Sequence, residues 1–177
     1  GGLGEIALNS WTQGRAKPLL VYGGKGVDEV VRGFQDAYAA DSRYRIAHHG
    51  TELLPPDGAR MQAVPVTLLG GDGVVPILDD GDLRIVAFRV QHPPVSPAYG
   101  YRIDYKGRSV IFSGDTMPTA AMSEVGKGVD VMVHEAVSSP LMHKVADQLE
   151  RTGDPRRAQL LRDAIDYHTP PVAAAEI

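Results

Sequence analysis

Hydrophobic positions along the chain change period several times, and each change predicts an element. Leu19-Leu20-Val21-Tyr22 is a short apolar run closed by Gly23-Gly24 and Gly26, the pattern of a buried strand that turns into a helix. Val27, Val30, Val31, Phe34 and Tyr38 then recur at helical spacing. From Ala40 to Gly73 the chain is polar and carries Pro55-Pro56 and paired glycines, which predicts a long excursion with one strand at Val64 to Leu69. From Leu83 the pattern becomes that of strands: Leu83 to Val90, Tyr99 to Tyr105 and Ser109 to Phe112, with Lys106-Gly107-Arg108 as a tight hairpin turn. A helix at Thr119 to Val125 and a strand at Val129 to Val133 follow. Ser139 to Glu150 and Pro155 to Tyr167 carry helical periodicity and are broken at Gly153-Asp154-Pro155. Strands and helices alternate in the second half, which predicts an α/β layered fold organised as a single domain over residues 1–177.

Composition narrows what this fold can do. At 177 residues with 43% hydrophobic and 23% charged positions, the chain is long enough and apolar enough to bury a core. A net charge of -4 provides no global basic field to draw in nucleic acid, so RNA, open to a local basic patch, is a possible but not the favoured partner. The absence of cysteine removes disulfides and thiolate ligands, leaving His and carboxylate to hold any metal. No run approaches the roughly 20 apolar residues of a membrane helix, so no membrane partner is expected, and a cytoplasmic location is favoured. The chain starts Gly1-Gly2-Leu3-Gly4 without Met and stops at Ala175-Glu176-Ile177 inside an expected helix, so both ends read as cut, and a signal peptide upstream stays open.

Three polar residues follow apolar strands, where loops expose side chains: His92 after Val86 to Val90, Asp115 after Val110 to Phe112, and His134 after Val129 to Val133. Three such ends form one rim if the strands run side by side. Imidazole and carboxylate are the donors a zinc or manganese site uses without thiolate, which makes His92 and Asp115 candidate ligands. Gly114 lets the chain turn to aim Asp115, and Thr116 is placed to hydrogen-bond that carboxylate or a neighbouring loop. Each segment has a plainer reading: Gly114-Asp115-Thr116 as a turn with a capping Asp, and His92 before Pro93-Pro94 as a packing residue.

The ordered set carries more. His92 followed by Gly100-Tyr101-Arg102, then Ser113-Gly114-Asp115-Thr116, then His134-Glu135-Ala136, then His168-Thr169 with Ala173-Ala174, resembles in order the motifs of metallo-β-lactamase-fold hydrolases of the ribonuclease Z-like or arylsulfatase-like branch. The resemblance covers the whole chain and implies an αββα sandwich with its ends missing. It implies His92 and Asp115 as metal ligands to two zinc ions, with manganese the alternative, and a bridging hydroxide that attacks phosphorus or a related centre. It also implies His168 as proton donor or oxyanion stabiliser, with Glu135 or His134 orienting it. Val137 stands where the family has Thr. The family's His-x-His-x-Asp-His motif belongs just before Gly1 and its last metal His on a strand after Ile177, so this chain holds at most two metal ligands and is expected to be inactive alone. The expected substrate is a small phosphodiester, sulfate or aryl ester, and a homodimer is a compatible assembly. The alternative is an inactive member kept as a binding or assembly module.

Other residues read more plainly. His48-His49 in an extended segment point to opposite faces and do not share an ion. Arg43, Arg45 and Arg60 read as scattered charge on a solvated loop, with phosphate contact as the alternative, and His143 as a surface helix residue. Trp11 and Tyr22 are expected in the core. Alternation puts Tyr99 and Tyr101 on one strand face and Gly100 and Arg102 on the other, so at most one set grips a ligand. Gly23-Gly24-Lys25-Gly26 lacks the spacing of a nucleotide-binding loop and reads as a structural turn, and the missing Gly-x-Gly-x-x-Gly fingerprint disfavours an NAD-binding domain.

Overall fold

The computed structural model describes residues 2–67 and 73–177. Two compact units, Gly1–Thr67 and Leu68–Ile177, are each built from helices and sheet. The mixed α/β class expected from the alternating periods is what forms.

In the first unit, helix α1 (Leu3–Thr12), strand β1 (Leu19–Gly23), helix α2 (Val27–His49) and strand β2 (Met61–Pro65) surround a small core. β1 and β2 pair in parallel, Leu19 opposite Met61 and Gly23 opposite Pro65. Ala7, Val31 and Met61 are buried, with Leu19, Val21, Val27 and Phe34 packed around them. Trp11 is buried as expected, 1% exposed, and its indole N–H donates to the Pro55 carbonyl at 3.0 Å. Tyr22 is half-buried.

The stretch from Ala40 departs from expectation. α2 does not end near Tyr38 but continues to His49 and stops at Gly50, whose φ of 82° allows its N–H to close on the Ile46 carbonyl. Helix-forming Ala and Arg and an Asp41–Arg45 ion pair at 2.7 Å carry the helix through a polar stretch that lacks an apolar stripe. His48 and His49 therefore sit in a last helical turn, not an extended segment. Their exposed rings meet edge to face at 4.6 Å, and both favour the negative end of the helix dipole. Arg43 and Arg45 likewise lie on a helix and not in a loop. The expected strand at Val64 begins earlier, at Met61, and ends at Pro65; its expected end at Leu68 and Leu69 lies outside the described residues.

The second unit is a five-stranded sheet in the order β3 (Val74–Asp80), β4 (Leu83–His92), β5 (Val95–Tyr105), β6 (Arg108–Phe112) and β7 (Val131–Val133). The first four strands are antiparallel and β7 joins β6 in parallel. β3 went unread in the sequence because Pro76 interrupts it. The proline is tolerated because β3 is an edge strand whose register shifts between Pro76 and Leu78. The β5–β6 turn forms as expected, with positive φ at both Lys106 and Gly107, the geometry that matches strand twist.

Phe88, Val90, Ala98 and Ile111 on one face of the sheet pack against Met122 of helix α3 (Ala120–Val125). Phe88, Ile111 and Met122 are fully buried, each contributing about 1.5–3 kcal/mol of hydrophobic stabilisation. Gly100 leaves space for Phe88, since a Cβ there would meet the ring at 2.4 Å. Arg102 points to the same side but grips no open site. It donates to the carbonyls of Val125 at 2.7 Å and Lys127 at 3.2 Å at the end of α3, and pairs with Asp104 at 2.9 Å. Tyr99 and Tyr101 share the opposite face, stacked at 6.5 Å. Burial, with Tyr99 adding to it, raises the Tyr101 phenol above its ordinary pKa.

After β7, helices α4 (Ser139–Arg151) and α5 (Pro155–Ile165) form a hairpin that packs through the fully buried Ala146 and Ala158. Arg162 bridges Asp147 at 2.8 Å and Glu150 at 2.7 Å. The exposed His143 lies on α4, and the short helix α6 (Pro171–Ala175) follows.

Candidate functional site

Because β4, β6 and β7 run in one direction, their C-terminal ends share one edge of the sheet. Those ends carry His92, Ser113 to Thr116, and His134-Glu135. The rim expected from three polar residues after three apolar strands is therefore present, and side chains stitch it together.

Glu135 is the joint. Its Oε1 accepts the Thr116 N–H at 3.1 Å, the Thr169 N–H at 3.1 Å and the Nδ1–H of His168 at 3.0 Å. Its own N–H donates to Ser113 Oγ at 3.0 Å, and that hydroxyl donates to the Gly114 carbonyl at 2.7 Å. Of the two partners its sequence position suggested, the Asp115 carboxylate or a neighbouring loop, Thr116 takes the neighbouring segment. Its hydroxyl meets the Gln91 carbonyl at 3.2 Å and the Met117 carbonyl at 2.6 Å, and accepts the Gln91 N–H at 3.1 Å. Thr116 is fully buried while Asp115 is exposed, so the turn anchors on the threonine and presents the carboxylate outward. Gly114 makes the turn feasible: its φ is +63° and a Cβ would stand 2.5 Å from the Tyr99 carbonyl oxygen.

The three residues from Tyr167 to Thr169 each reach a different strand end. The Tyr167 carbonyl accepts from His92 Nδ1 at 3.1 Å, His168 pairs with Glu135, and the buried Thr169 hydroxyl donates to the Thr116 carbonyl at 2.6 Å. A carbonyl can only accept, so Nδ1 of His92 carries the donated proton, and in the neutral ring Nε2 keeps a bare lone pair. The same logic puts the His134 proton on Nδ1, which faces the Glu135 carbonyl at 2.6 Å. Among the described residues, His134 Nε2 and Glu135 Oε2 are buried without a hydrogen-bond partner.

The structure thus sets His168 against both the His92 ring and the Glu135 carboxylate, with Asp115 one residue from the shared Thr116. Glu135, rather than His134, makes the hydrogen bond to His168. Sequence reasoning missed Tyr167, Gln91 and the anchoring role of Ser113, since nothing in spacing marks a backbone carbonyl or a buried hydroxyl as a partner. As zinc-type donors, the bare Nε2 of His92 and the exposed carboxylate of Asp115 are chemically suitable. Among the described residues no group of three or more His, Asp or Glu gathers as a metal cage, so the two fit only as part of a larger ligand set.

Residues 13–176 match the family model described as a beta-lactamase superfamily domain. The chain is 32% identical over 177 residues to a protein named ribonuclease Z from Mycolicibacterium gilvum (strain PYR-GCK), covering 98% of this chain and 55% of the relative. It is 29% identical over 170 residues to a putative ribonuclease Z from Mycobacterium tuberculosis (strain CDC 1551 / Oshkosh), covering 94% of this chain and 67% of that protein. Among solved structures, the short form of human tRNase Z superposes with a TM-score of 0.58 at 18% identity, over 99% of this chain and 61% of that one, a likeness of fold. The chain spans about half the length of most of the curated relatives it matches.

Proposed function

The chain belongs to the beta-lactamase superfamily, in its ribonuclease Z-like branch, and on that premise we propose that it forms part of a metal-dependent phosphodiesterase. The observation that supports this most is the His168–Glu135 pair at 3.0 Å, set on the same rim as two suitable metal donors. His92 and Asp115 would hold metal, zinc or manganese, together with ligands from outside this chain. Held there by His92 and Asp115 with further ligands, a divalent ion would supply Lewis-acid charge and lower the pKa of a water toward neutrality.

The chain's own residues do the rest. With its Nδ1–H held on the Glu135 carboxylate, His168 takes up a second proton on Nε2, the one passed to the departing oxygen of a cleaved ester, and the carboxylate stabilises that imidazolium and fixes its orientation. Glu135 acts through His168 and is a positioning residue. His134, tied to the Glu135 carbonyl, stiffens the backbone that carries that carboxylate. The relatives' name, ribonuclease Z, favours an RNA phosphodiester over the small diester, sulfate or aryl ester suggested by net charge. A net charge of -4 describes the whole chain and does not set the field at one rim.

Metal content and turnover of the full-length protein test this reading. Roughly two zinc or manganese ions per chain, cleavage of a short RNA or an aryl phosphodiester but not an aryl sulfate, and a kcat about 10²–10⁴-fold lower in His168→Ala with metal retained are expected. An unchanged turnover in His168→Ala removes the proton-donor role. The second reading is an inactive member kept as a binding or assembly module. Metal-free protein that hydrolyses neither ester class would support it.

A further inference from the structure

Three aromatic rings meet at the rim. His92 and Tyr167 lie edge to face with centroids 5.1 Å apart and planes at 89°. Tyr167 and His168 are 5.0 Å apart, and His92 and His168 5.3 Å. The triangle joins the candidate metal donor to the candidate proton donor, and Tyr167 is the corner that has no chemistry of its own in the proposed reaction. Tyr167 lies beyond the end of α5 at Ile165, so its carbonyl is not used by the helix and is the group that accepts from His92 Nδ1 at 3.1 Å.

We propose that Tyr167 is a positioning residue that sets the tautomer of His92 and the separation of the His92 and His168 rings. This rests on the phosphodiesterase reading only for its kinetic consequence. The backbone of Tyr167 can hold a carbonyl against His92 only while residues 167–169 keep their path. His168 and Thr169 are tied by their bonds to Glu135 and Thr116, whereas at Tyr167 the ring packing is the side chain's tie to the rim. An edge-to-face contact favours one mutual orientation, so the Tyr167 ring fixes the plane of His92 as well as its distance. The carbonyl then selects the tautomer, leaving Nε2 bare toward the rim. A ring at this corner serves without its hydroxyl, which makes phenylalanine an adequate replacement and alanine an inadequate one.

The test compares Tyr167→Phe, Tyr167→Ala and, as a bulkier apolar replacement that keeps the fold should alanine not, Tyr167→Leu, in the full chain. Nitrogen-15 NMR of the histidine side chains, recorded on metal-stripped protein so that no ion holds Nε2 of His92, reads the tautomer directly. Wild type and Tyr167→Phe are expected to show a protonated Nδ1 at His92 and equal kcat. Tyr167→Ala and Tyr167→Leu should show mixed tautomers at His92 and a kcat lower by about 10–100-fold, with KM changed by less than about two-fold. A single Nδ1–H tautomer with wild-type kcat in Tyr167→Ala or Tyr167→Leu would overturn the proposal. So would Tyr167→Phe as impaired as Tyr167→Ala, which would assign the role to the hydroxyl. If the wild-type protein cleaves no phosphodiester, the functional reading falls, while the tautomer comparison still decides the role of Tyr167.

Discussion

Replacing Glu135 by alanine removes the one oxygen on which two backbone N–H groups and the His168 imidazole converge. Thr116 and Thr169 are fully buried, so their N–H groups lose their acceptor at a site where water enters poorly. A buried donor left unpaired costs about 1–3 kcal/mol, which gives about 2–6 kcal/mol for the pair. Part of this is offset because the variant also removes the buried and unpartnered Oε2, a charged oxygen that stabilises nothing in the described chain. A net loss of about 2–4 kcal/mol is expected for Glu135→Ala. Glutamine keeps an acceptor in place but a neutral one, roughly half as strong, so Glu135→Gln should lose only about 1 kcal/mol. With a urea m-value of about 2 kcal/mol/M, the unfolding midpoint should fall by about 1–2 M for alanine and about 0.5 M for glutamine. An alanine midpoint within about 0.2 M of wild type at unchanged m would show that the carboxylate does not join the strand ends, and the account of the rim would fail with it.

Gly114→Ala forces a side chain into a left-handed position and against the Tyr99 carbonyl, and should destabilise by about 2–4 kcal/mol in urea unfolding; a loss below about 0.5 kcal/mol would show that the turn relaxes freely. Arg102→Ala should cost about 1–2 kcal/mol from the lost cap of α3 and leave KM unchanged, whereas a raised KM would restore Arg102 as a ligand-gripping residue. Asp130 accepts the Ser109 N–H at 2.7 Å, a bond that, helped by Arg108, holds its carboxyl below the ordinary carboxylate value. A depressed pKa contributes stability above the unfolded value of 3.8 that is lost as pH falls through the lower folded value. The midpoint gap between wild type and Asp130→Asn should therefore be present at neutral pH and close in strong acid, and a gap independent of pH would contradict the bond.

Much of the β-meander and the helices after it could be read from periodicity, because each strand buries alternate residues and each helix a stripe, and both patterns are local. β3 escaped because a proline argues against a strand unless the strand is known to lie at an edge, and edge position is a property of the assembled sheet. The second half of α2 escaped for the opposite reason. Residues 40–49 include the strong helix formers Ala40, Arg43, Arg45 and Ala47 but present a polar surface, and a helix that buries little leaves no stripe to detect.

At the rim, the residue types came from the sequence and the partnerships from the fold. His92, Asp115 and His134 could be named in advance because they follow apolar strands, and Glu135 and His168 because the ordered set of motifs resembles one family. Which of them touch could not be named. Thr116 had two partners open to it, the Asp115 carboxylate or a neighbouring loop, and anchors to Gln91; Glu135 rather than His134 holds His168; and a tyrosine carbonyl with no sequence signature selects the tautomer of His92. Hydrogen-bond pairing depends on positions within a few tenths of an ångström, and residues 75 apart in the chain come within that distance only after the three strand ends are aligned. The sequence by itself therefore determined the chemical inventory and most of the elements. The tertiary structure alone decided which donor meets which acceptor, since backbone groups carry no side-chain identity and register is set by the packing of the whole sheet.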